Sequence, residues 1–239
     1  MCRHCRNPLH LTRRSLLVGS TTAVAAGMTS RPILAQTAAA TAPNAIAPDE
    51  ALRRIMEGNS RYIAGALANK DFSVGRTARA VAQYPIAAIL SCADSRVSPE
   101  LAFDQGPGEL FVVRLAGNFV NNDGLASIEY GTRFLGVPLI MVLGHSDCGA
   151  MAAAIKVVQE NTALPGHLPD LVNAIRPAIE TARQRNPADL LQEATAENVR
   201  INVRRLSSAD PVVSEKVRQD KVKVVGGVYG IGTGRVSLV

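Results

Sequence analysis

Short apolar runs alternate with amphipathic stretches along the chain from residue 48 onward. Residues 48–66 place apolar side chains at helical spacing, whereas 86–91 and 139–143 are continuous apolar runs typical of strands buried on both faces. Further strands are predicted at 110–115, 221–229 and 235–239, and further helices around 123–136, 149–160, 168–185, 189–207 and 210–219. This alternation predicts an α/β fold, with a mainly parallel central sheet flanked by helices and a C-terminal edge strand.

The first 36 residues differ from the rest in charge and pattern. They hold five arginines and no acidic residue, and they include a twin-arginine sequence at Thr12–Leu17 followed by a mildly apolar stretch at Val18–Met28. We therefore predict a twin-arginine signal peptide at 1–36, a linker at 37–47 and one domain at 48–239. The alternative is a disordered tail in which two arginines are adjacent by chance.

The predicted leader accounts for most of the net positive charge of the chain. Taking its five arginines from the 26 basic residues leaves 21 against 20 acidic residues, so the pI near 9.5 gives little support to a nucleic-acid partner. The apolar stretch is too short and too polar for a stable membrane anchor. We expect a periplasmic protein whose partner during export is the twin-arginine machinery.

The four cysteines form two pairs with different meanings. Cys2 and Cys5 lie in the leader and would be removed with it. Cys92 and Cys148 remain, and in an exported protein two cysteines predict a disulfide. His145, three residues before Cys148, favours metal ligation instead. Zinc loading in the reducing cytoplasm before export would reconcile the two interpretations.

Cys92, His145 and Cys148 come where apolar runs give way to polar sequence. The carboxyl ends of parallel strands meet at one edge of a sheet, so we expect the three side chains to share one crevice. Two thiolates and one imidazole fill three corners of a zinc tetrahedron and leave the fourth corner for water, substrate or a carboxylate. The simpler alternative is that both cysteines are small buried hydrophobic residues.

From about residue 48 to its C-terminus, the chain resembles the β-class carbonic anhydrases. The resemblance is carried by the paired segments Cys92–Arg96 and His145–Gly149, with support from Arg114–Asn118 and Ser127–Gly131. It implies one zinc ion per subunit on Cys92, His145 and Cys148. It also implies the family's activity, in which zinc-bound hydroxide attacks carbon dioxide to give bicarbonate and a proton.

The resemblance further implies roles for residues around the metal. Asp94 and Arg96 would form the carboxylate–guanidinium pair beside zinc, and Gly149 would open a helix whose amides favour anions. Matching positions for a carbon dioxide pocket are Gln83, Phe111 and Tyr130, although Phe111 also fits an ordinary strand core. The family assembles as homodimers or dimers of dimers, and a pocket could then borrow residues from the partner.

Two other functions remain open from the sequence. A carbonyl sulfide or carbon disulfide hydrolase would need the same zinc hydroxide, and a non-catalytic zinc-binding protein would need the same ligands. The chain has no tryptophan, so the Trp-Arg-Tyr bicarbonate pocket of some family members cannot form in its usual way. This favours an open site with zinc-bound water, and closure of the site by Asp94 at low pH stays an alternative.

Overall fold

The computed structural model describes residues 42–68 and 71–239. The strands are β1 (Ala87–Ser91), β2 (Leu110–Arg114), β3 (Leu139–His145), β4 (Lys223–Tyr229) and β5 (Val236–Leu238). They form one sheet in the order β2-β1-β3-β4-β5, in which every pair is parallel except the antiparallel β4–β5. The predicted α/β fold, with its mainly parallel sheet and C-terminal edge strand, is confirmed.

The helices of the described residues are α1 (Pro48–Ile63), α2 (Arg76–Val81), α3 (Pro99–Ala102), α4 (Asn122–Phe134), α5 (Gly149–Glu160), α6 (Leu168–Gln184), α7 (Leu190–Ser207) and α8 (Val212–Arg218). Helices α2 and α3 were not predicted, because each is too short to repeat an apolar face. β3 runs on to His145 instead of ending at residue 143. This predicted metal ligand is therefore the last residue of a strand and not the first residue after one.

Alternating side chains of the central strands build two cores, one on each face of the sheet. Ile89 and Met141 pack with Ile55 of α1 on one face. Leu90 and Val142 pack with α4, α7 and α8 on the other. Both faces are apolar because a parallel sheet is covered by helices on both sides, which explains why β1 and β3 are continuous apolar runs.

Helix α7 lies unusually close to the end of β3 that carries the metal ligand. A Cβ atom on Gly144 would lie 2.8 Å from Cγ2 of Val199, closer than side chains tolerate. Glycine at this position therefore permits the approach. As a result, one face of α7 lies against the loops at the carboxyl ends of the strands.

The predicted signal peptide (1–36) and the first part of the linker (37–41) lie outside the described residues. Within the part of the chain that is described, none of the helices has both the length and the apolar character needed to cross a bilayer.

Candidate metal centre

Cys92, His145 and Cys148 converge at the carboxyl end of the sheet. Cys92 directly follows β1, His145 ends β3, and Cys148 is the N-cap of α5. β1 and β3 are neighbours in the sheet, so the ends of these two strands are side by side. The two sulfur atoms and a ring nitrogen of His145 lie within 4.8 Å of one another, and all three residues are buried. Zinc's preferred ligand atoms are thus gathered in one place.

The ring of His145 is oriented for metal ligation. Its Nδ1 lies 2.9 Å from the carbonyl oxygen of Ser146, which can only accept, so Nδ1 carries the proton. Nε2 is left with a free lone pair, and it is buried without a hydrogen-bond partner among the described residues. A buried polar atom without a partner is costly, and a metal ion beside the two sulfur atoms would satisfy it. The residues present therefore fit zinc.

Backbone amides face both sulfur atoms. Gly117 N–H donates to Cys92 Sγ at 3.3 Å, and the amides of Met151 and Ala150 at the start of α5 point at Cys148. A hydrogen bond from Cys148 holds the pKa of the Cys92 thiol far below its usual value, against the opposing effect of burial. The same contact and burial raise the pKa of Cys148, while the α5 amides oppose that rise. Together the amides provide an environment for negatively charged sulfur.

Asp94 and Arg96 form a two-pronged pair beside these ligands. Arg96 donates from Nε to Oδ1 at 2.9 Å and from Nη2 to Oδ2 at 2.7 Å, and its backbone N–H also donates to Oδ1 at 3.0 Å. Asp94 Oδ2 lies 3.8 Å from His145 Nε2. The Arg96 guanidinium is the main reason that the pKa of Asp94 lies well below its usual range. Asp94 is therefore an ionised acceptor held at the edge of the cluster.

Arg114 holds the backbone of the Cys92–Asp94 segment by hydrogen bonds, a role that the sequence did not indicate. Its Nε donates to the carbonyl oxygen of Cys92 at 3.0 Å, and its Nη2 donates to that of Asp94 at 2.6 Å. A charged residue at the end of an otherwise apolar strand was the available signal, since β2 ends beside β1. Arg114 therefore fixes the backbone that carries both a ligand and the acceptor.

The structure does not bring the predicted pocket residues to the metal ligands within one chain. Gln83 precedes β1 whereas Cys92 follows it, and five strand residues span roughly 16 Å. Phe111 lies near the start of β2, with its ring centroid 6.2 Å from that of Tyr130. Gln83 and Tyr130 line one open groove at this amino end of the sheet. The strand predicted at 86–91 already separated Gln83 from Cys92 in the sequence, whereas the placement of Phe111 beside Tyr130 arises from tertiary contacts.

Gly149 occupies the predicted position at the first turn of α5. It is exposed, and a Cβ atom there would meet nothing within 4 Å. Its predecessor Cys148 caps the helix without a side-chain hydrogen bond to the first turn. Space therefore lies open at the helix N-terminus beside the cluster, where the helix dipole favours an anion.

Comparisons with known proteins show the family to which the chain belongs. A family model described as carbonic anhydrase matches residues 87–236. Carbonic anhydrase 2 of Mycobacterium tuberculosis is 38% identical over 192 residues, covering 80% of this chain and 92% of that protein. A carbonic anhydrase of Pseudomonas aeruginosa is 38% identical over 168 residues, covering 66% of this chain and 74% of that protein.

Solved structures identify the class within that family. A Coccomyxa β-carbonic anhydrase in complex with acetazolamide superposes with a TM-score of 0.63 at 30% identity, covering 79% of this chain and 86% of that one. The β-carbonic anhydrase CafA of Aspergillus fumigatus superposes with a TM-score of 0.59 at 27% identity, covering 68% and 79%. The chain therefore belongs to the β-class carbonic anhydrase family.

Proposed function

We propose that this protein catalyses the reversible hydration of carbon dioxide with one zinc ion per subunit on Cys92, His145 and Cys148. The observation that carries the proposal is the convergence of their three ligand atoms within 4.8 Å, beside an ionised Asp94. Three protein ligands leave a fourth tetrahedral position, which is the arrangement of catalytic zinc sites. Zinc there supplies a Lewis acid that makes hydroxide available from water near neutral pH.

Asp94 selects what occupies the open position. Its carboxylate is an acceptor only, so it favours an oxygen that carries a proton and repels one that does not. Arg96 keeps the carboxylate ionised and aimed, and it also donates to the carbonyl oxygen of Asp147 at 3.1 Å. This second contact ties Asp94 to the turn that separates His145 from Cys148. Asp94 and Arg96 thus act as one unit.

The N-terminus of α5 offers a place for the bicarbonate anion. The open space at Gly149 adjoins Cys148, and the dipole of α5 favours negative charge at this end. A product held there would lie next to the ligand cluster. The position supports a role for Gly149 in admitting the anion close to the backbone.

The carbon dioxide pocket requires a second copy of the chain under this proposal. Gln83, Phe111 and Tyr130 lie at the opposite end of β1 from Cys92, so a single chain cannot place them at its own metal. Tyr130 and Phe134 form an exposed aromatic pair with ring centroids 5.4 Å apart. Burying these rings against a partner would remove an apolar surface from water and bring pocket residues to the partner's metal. We therefore propose a homodimer.

Stopped-flow hydration of carbon dioxide by the zinc-loaded protein tests the proposed reaction. Wild type should be active, and Asp94→Ala should lose most of the activity while it keeps its zinc. Asp170→Ala, which removes an exposed carboxylate paired only with His167 among the ion pairs of the described residues, is the control and should match wild type. Equal inactivity of wild type and Asp94→Ala would contradict the proposal, and release of sulfide from carbonyl sulfide in its place would identify the other hydrolase activity.

Export through the twin-arginine route is a further part of the proposal. It is supported by Arg13 and Arg14 in the leader and by the buried, unbridged state of Cys92 and Cys148, which suits loading before export. Replacing both arginines with lysine should leave the protein in the cytoplasmic fraction. Unchanged periplasmic accumulation of that variant would contradict this route.

A further inference from the structure

Helix α7 carries three buried polar side chains, two of which are hydrogen-bonded to the loop that joins β2 to α4. Thr195, Asn198 and Asn202 are spaced three and four residues apart, so they share one side of the helix. Each is 3% exposed or less. Core-facing positions of a helix are normally apolar, and a buried amide is costly unless it is fully hydrogen-bonded. The two asparagines therefore need a function that apolar residues could not perform.

The two asparagines form a connected set of hydrogen bonds with the loop. Asn198 Nδ2 donates to the carbonyl oxygen of Gly117 at 2.8 Å, and Asn202 Oδ1 accepts from Val120 N–H at 2.9 Å. Asn202 Nδ2 also donates to the carbonyl oxygen and the Oδ1 of Asn198, at 2.8 and 3.2 Å. Because Asn198 Oδ1 accepts from Asn202, its amide group is fixed with the nitrogen toward Gly117.

The residue that Asn198 holds is the one that contacts a metal ligand. Gly117 N–H donates to Cys92 Sγ at 3.3 Å. Gly117 and Asn118 both adopt left-handed backbone, with φ of 83° and 39°, and for a non-glycine residue such as Asn118 this conformation costs energy. Such a turn keeps its shape only where its surroundings restrain it. Asn198 restrains the carbonyl group of the same residue whose amide faces the sulfur.

We propose that Asn198 is a positioning residue for the Cys92 thiolate. Through Gly117 it aims a backbone N–H at the sulfur, and that hydrogen bond withdraws negative charge from the ligand and makes it a weaker donor to the metal. The Lewis acidity of the ion is then set partly by a side chain that touches neither metal nor substrate. This inference rests on the proposed zinc site.

Removing the Asn198 donor should change how Cys92 binds metal. Asn198→Ala and the nearly isosteric Asn198→Asp should each weaken zinc binding by about 10- to 100-fold in competition with a chelator, because the loop that positions Cys92 for the ion is no longer held. We expect this loss of positioning to outweigh the stronger donation of a sulfur that lacks its hydrogen bond. In cobalt-substituted protein, the sulfur-to-metal charge-transfer band should move to lower energy, because a sulfur without its hydrogen bond gives up charge more easily. Asn202→Ala, which frees the Asn198 amide, should produce a smaller shift in the same direction.

Two variants of the same helix serve as controls. Thr195→Val removes a hydroxyl group that has no hydrogen-bond partner among the described residues, and it should leave both readouts at their wild-type values. Val199→Ala creates a cavity next to Gly144 and lowers stability without touching the loop hydrogen bonds. It therefore shows how far lost stability alone weakens zinc binding.

The comparison with Val199→Ala decides the proposal. If the Asn198 variants, at equal thermal stability, weaken zinc no more than Val199→Ala and leave the cobalt band unmoved, the positioning role is wrong. If Asn198→Ala does not fold, Asn198→Asp and Asn202→Ala take its place. Their zinc affinity and the position of their cobalt charge-transfer band then decide whether the positioning role is right or wrong. Wild-type protein that binds no zinc would overturn the proposed function itself, whereas zinc-bound wild type with unresponsive Asn198 variants would overturn only this role.

Discussion

The two ends of the central sheet differ in almost every physical respect. At the carboxyl end, Cys92 and His145 are buried and their surroundings are held by hydrogen bonds from several elements. At the amino end, Tyr130 is 47% exposed and Phe134 is 74% exposed. One end holds buried ligand residues within a hydrogen-bonded framework, while the other exposes aromatic rings. Under the proposed function, a single chain assembles the reactive groups but leaves Tyr130 and Phe134 on an uncovered surface.

This contrast separates two requirements of the proposed reaction. Charge must be placed within a fraction of an ångström, which favours ligands on neighbouring strands of one chain. A pocket for an apolar gas needs only a matching shape and the exclusion of water, and side chains from a second copy of the chain can supply both. The two ends can therefore be tested separately, first the polar end, then the apolar end, and last the helix that supports the polar end.

The largest effect should follow loss of a ligand at the polar end. Cys148→Ser replaces a soft sulfur with a hydroxyl group, which zinc binds poorly, so bound zinc and hydration activity should both be lost. Metal analysis after gel filtration and stopped-flow assay measure the two. Ser207→Ala, which removes a hydroxyl group bonded to its own helix, should retain both. Full zinc content in Cys148→Ser would mean that the cluster is not the metal site.

Asp94→Asn should reduce turnover by about a hundredfold while zinc content stays unchanged. The amide keeps the size of the carboxylate but can offer a donor where the proposed site needs an acceptor. Because the pKa of Asp94 is lowered, this group stays ionised throughout the neutral range and should not produce an acid limb in the wild-type activity profile. Arg96→Gln removes the main cause of the lowered pKa of Asp94. In this variant, the pH at which activity is lost on the acid side should therefore be higher than in wild type. A wild-type profile that follows Asp94 protonation near neutrality would contradict this assignment.

An effect on assembly should follow a charge at the apolar end. Tyr130→Arg places a cation in the proposed dimer surface, so sedimentation should show a shift toward monomer, with lower activity but normal zinc content. Leu168→Arg changes an equally exposed apolar side chain on α6 and should leave the assembly unchanged. A Tyr130→Arg protein with wild-type assembly and activity would leave Gln83, Phe111 and Tyr130 without a role at the metal.

The smallest effect concerns the outer side of α7. Glu197 is buried among Arg185, Arg200 and Arg204, at 3.1, 3.3 and 3.0 Å. Burial opposes ionisation, but these arginines hold the pKa of Glu197 below its usual value. The pKa of Glu197 is lower in the folded protein than in the unfolded chain. Its ionised carboxylate therefore stabilises the fold at pH values above the unfolded-state pKa, and this stabilisation is lost as the pH falls through the folded-state pKa.

Glu197→Gln should therefore cost about 1–2 kcal/mol at neutral pH, and progressively less as the pH falls through the folded-state pKa of Glu197. Thermal unfolding across this pH range measures the difference, and zinc content should not change. A constant difference between variant and wild type at all pH values would contradict the ionic explanation. Glu180→Gln on α6 provides an exposed control.

Most of the sheet and its covering helices were predictable because their signals are local. The apolar runs around Ile89 and Met141 mark strands by themselves, since a parallel strand is buried on both faces. Helices α2 and α3 are too short to repeat an apolar face, so the sequence did not predict them. The approach of Cys92 to His145 followed from a general rule about strand ends, without knowledge of any contact.

What the sequence concealed depends on tertiary contacts. Asn198 and Asn202 look like ordinary polar residues of a helix until their face is known, although the spacing of Thr195, Asn198 and Asn202 on one side was a usable signal. The position of Tyr130 beside Phe111, with ring centroids 6.2 Å apart, depends on how α4 packs on β2, and no local pattern encodes it.

The pairing of β1 with β3 has a consequence for the order of events in the life of the chain. β2 and α4 lie between these strands in sequence, so Cys92 meets His145 only after a long-range strand pair has formed. Such pairs are late events in folding. An ion bound by all three ligands is thus a sign of a finished sheet, and quality control that recognised the metal-bound form would be testing the topology of the whole domain.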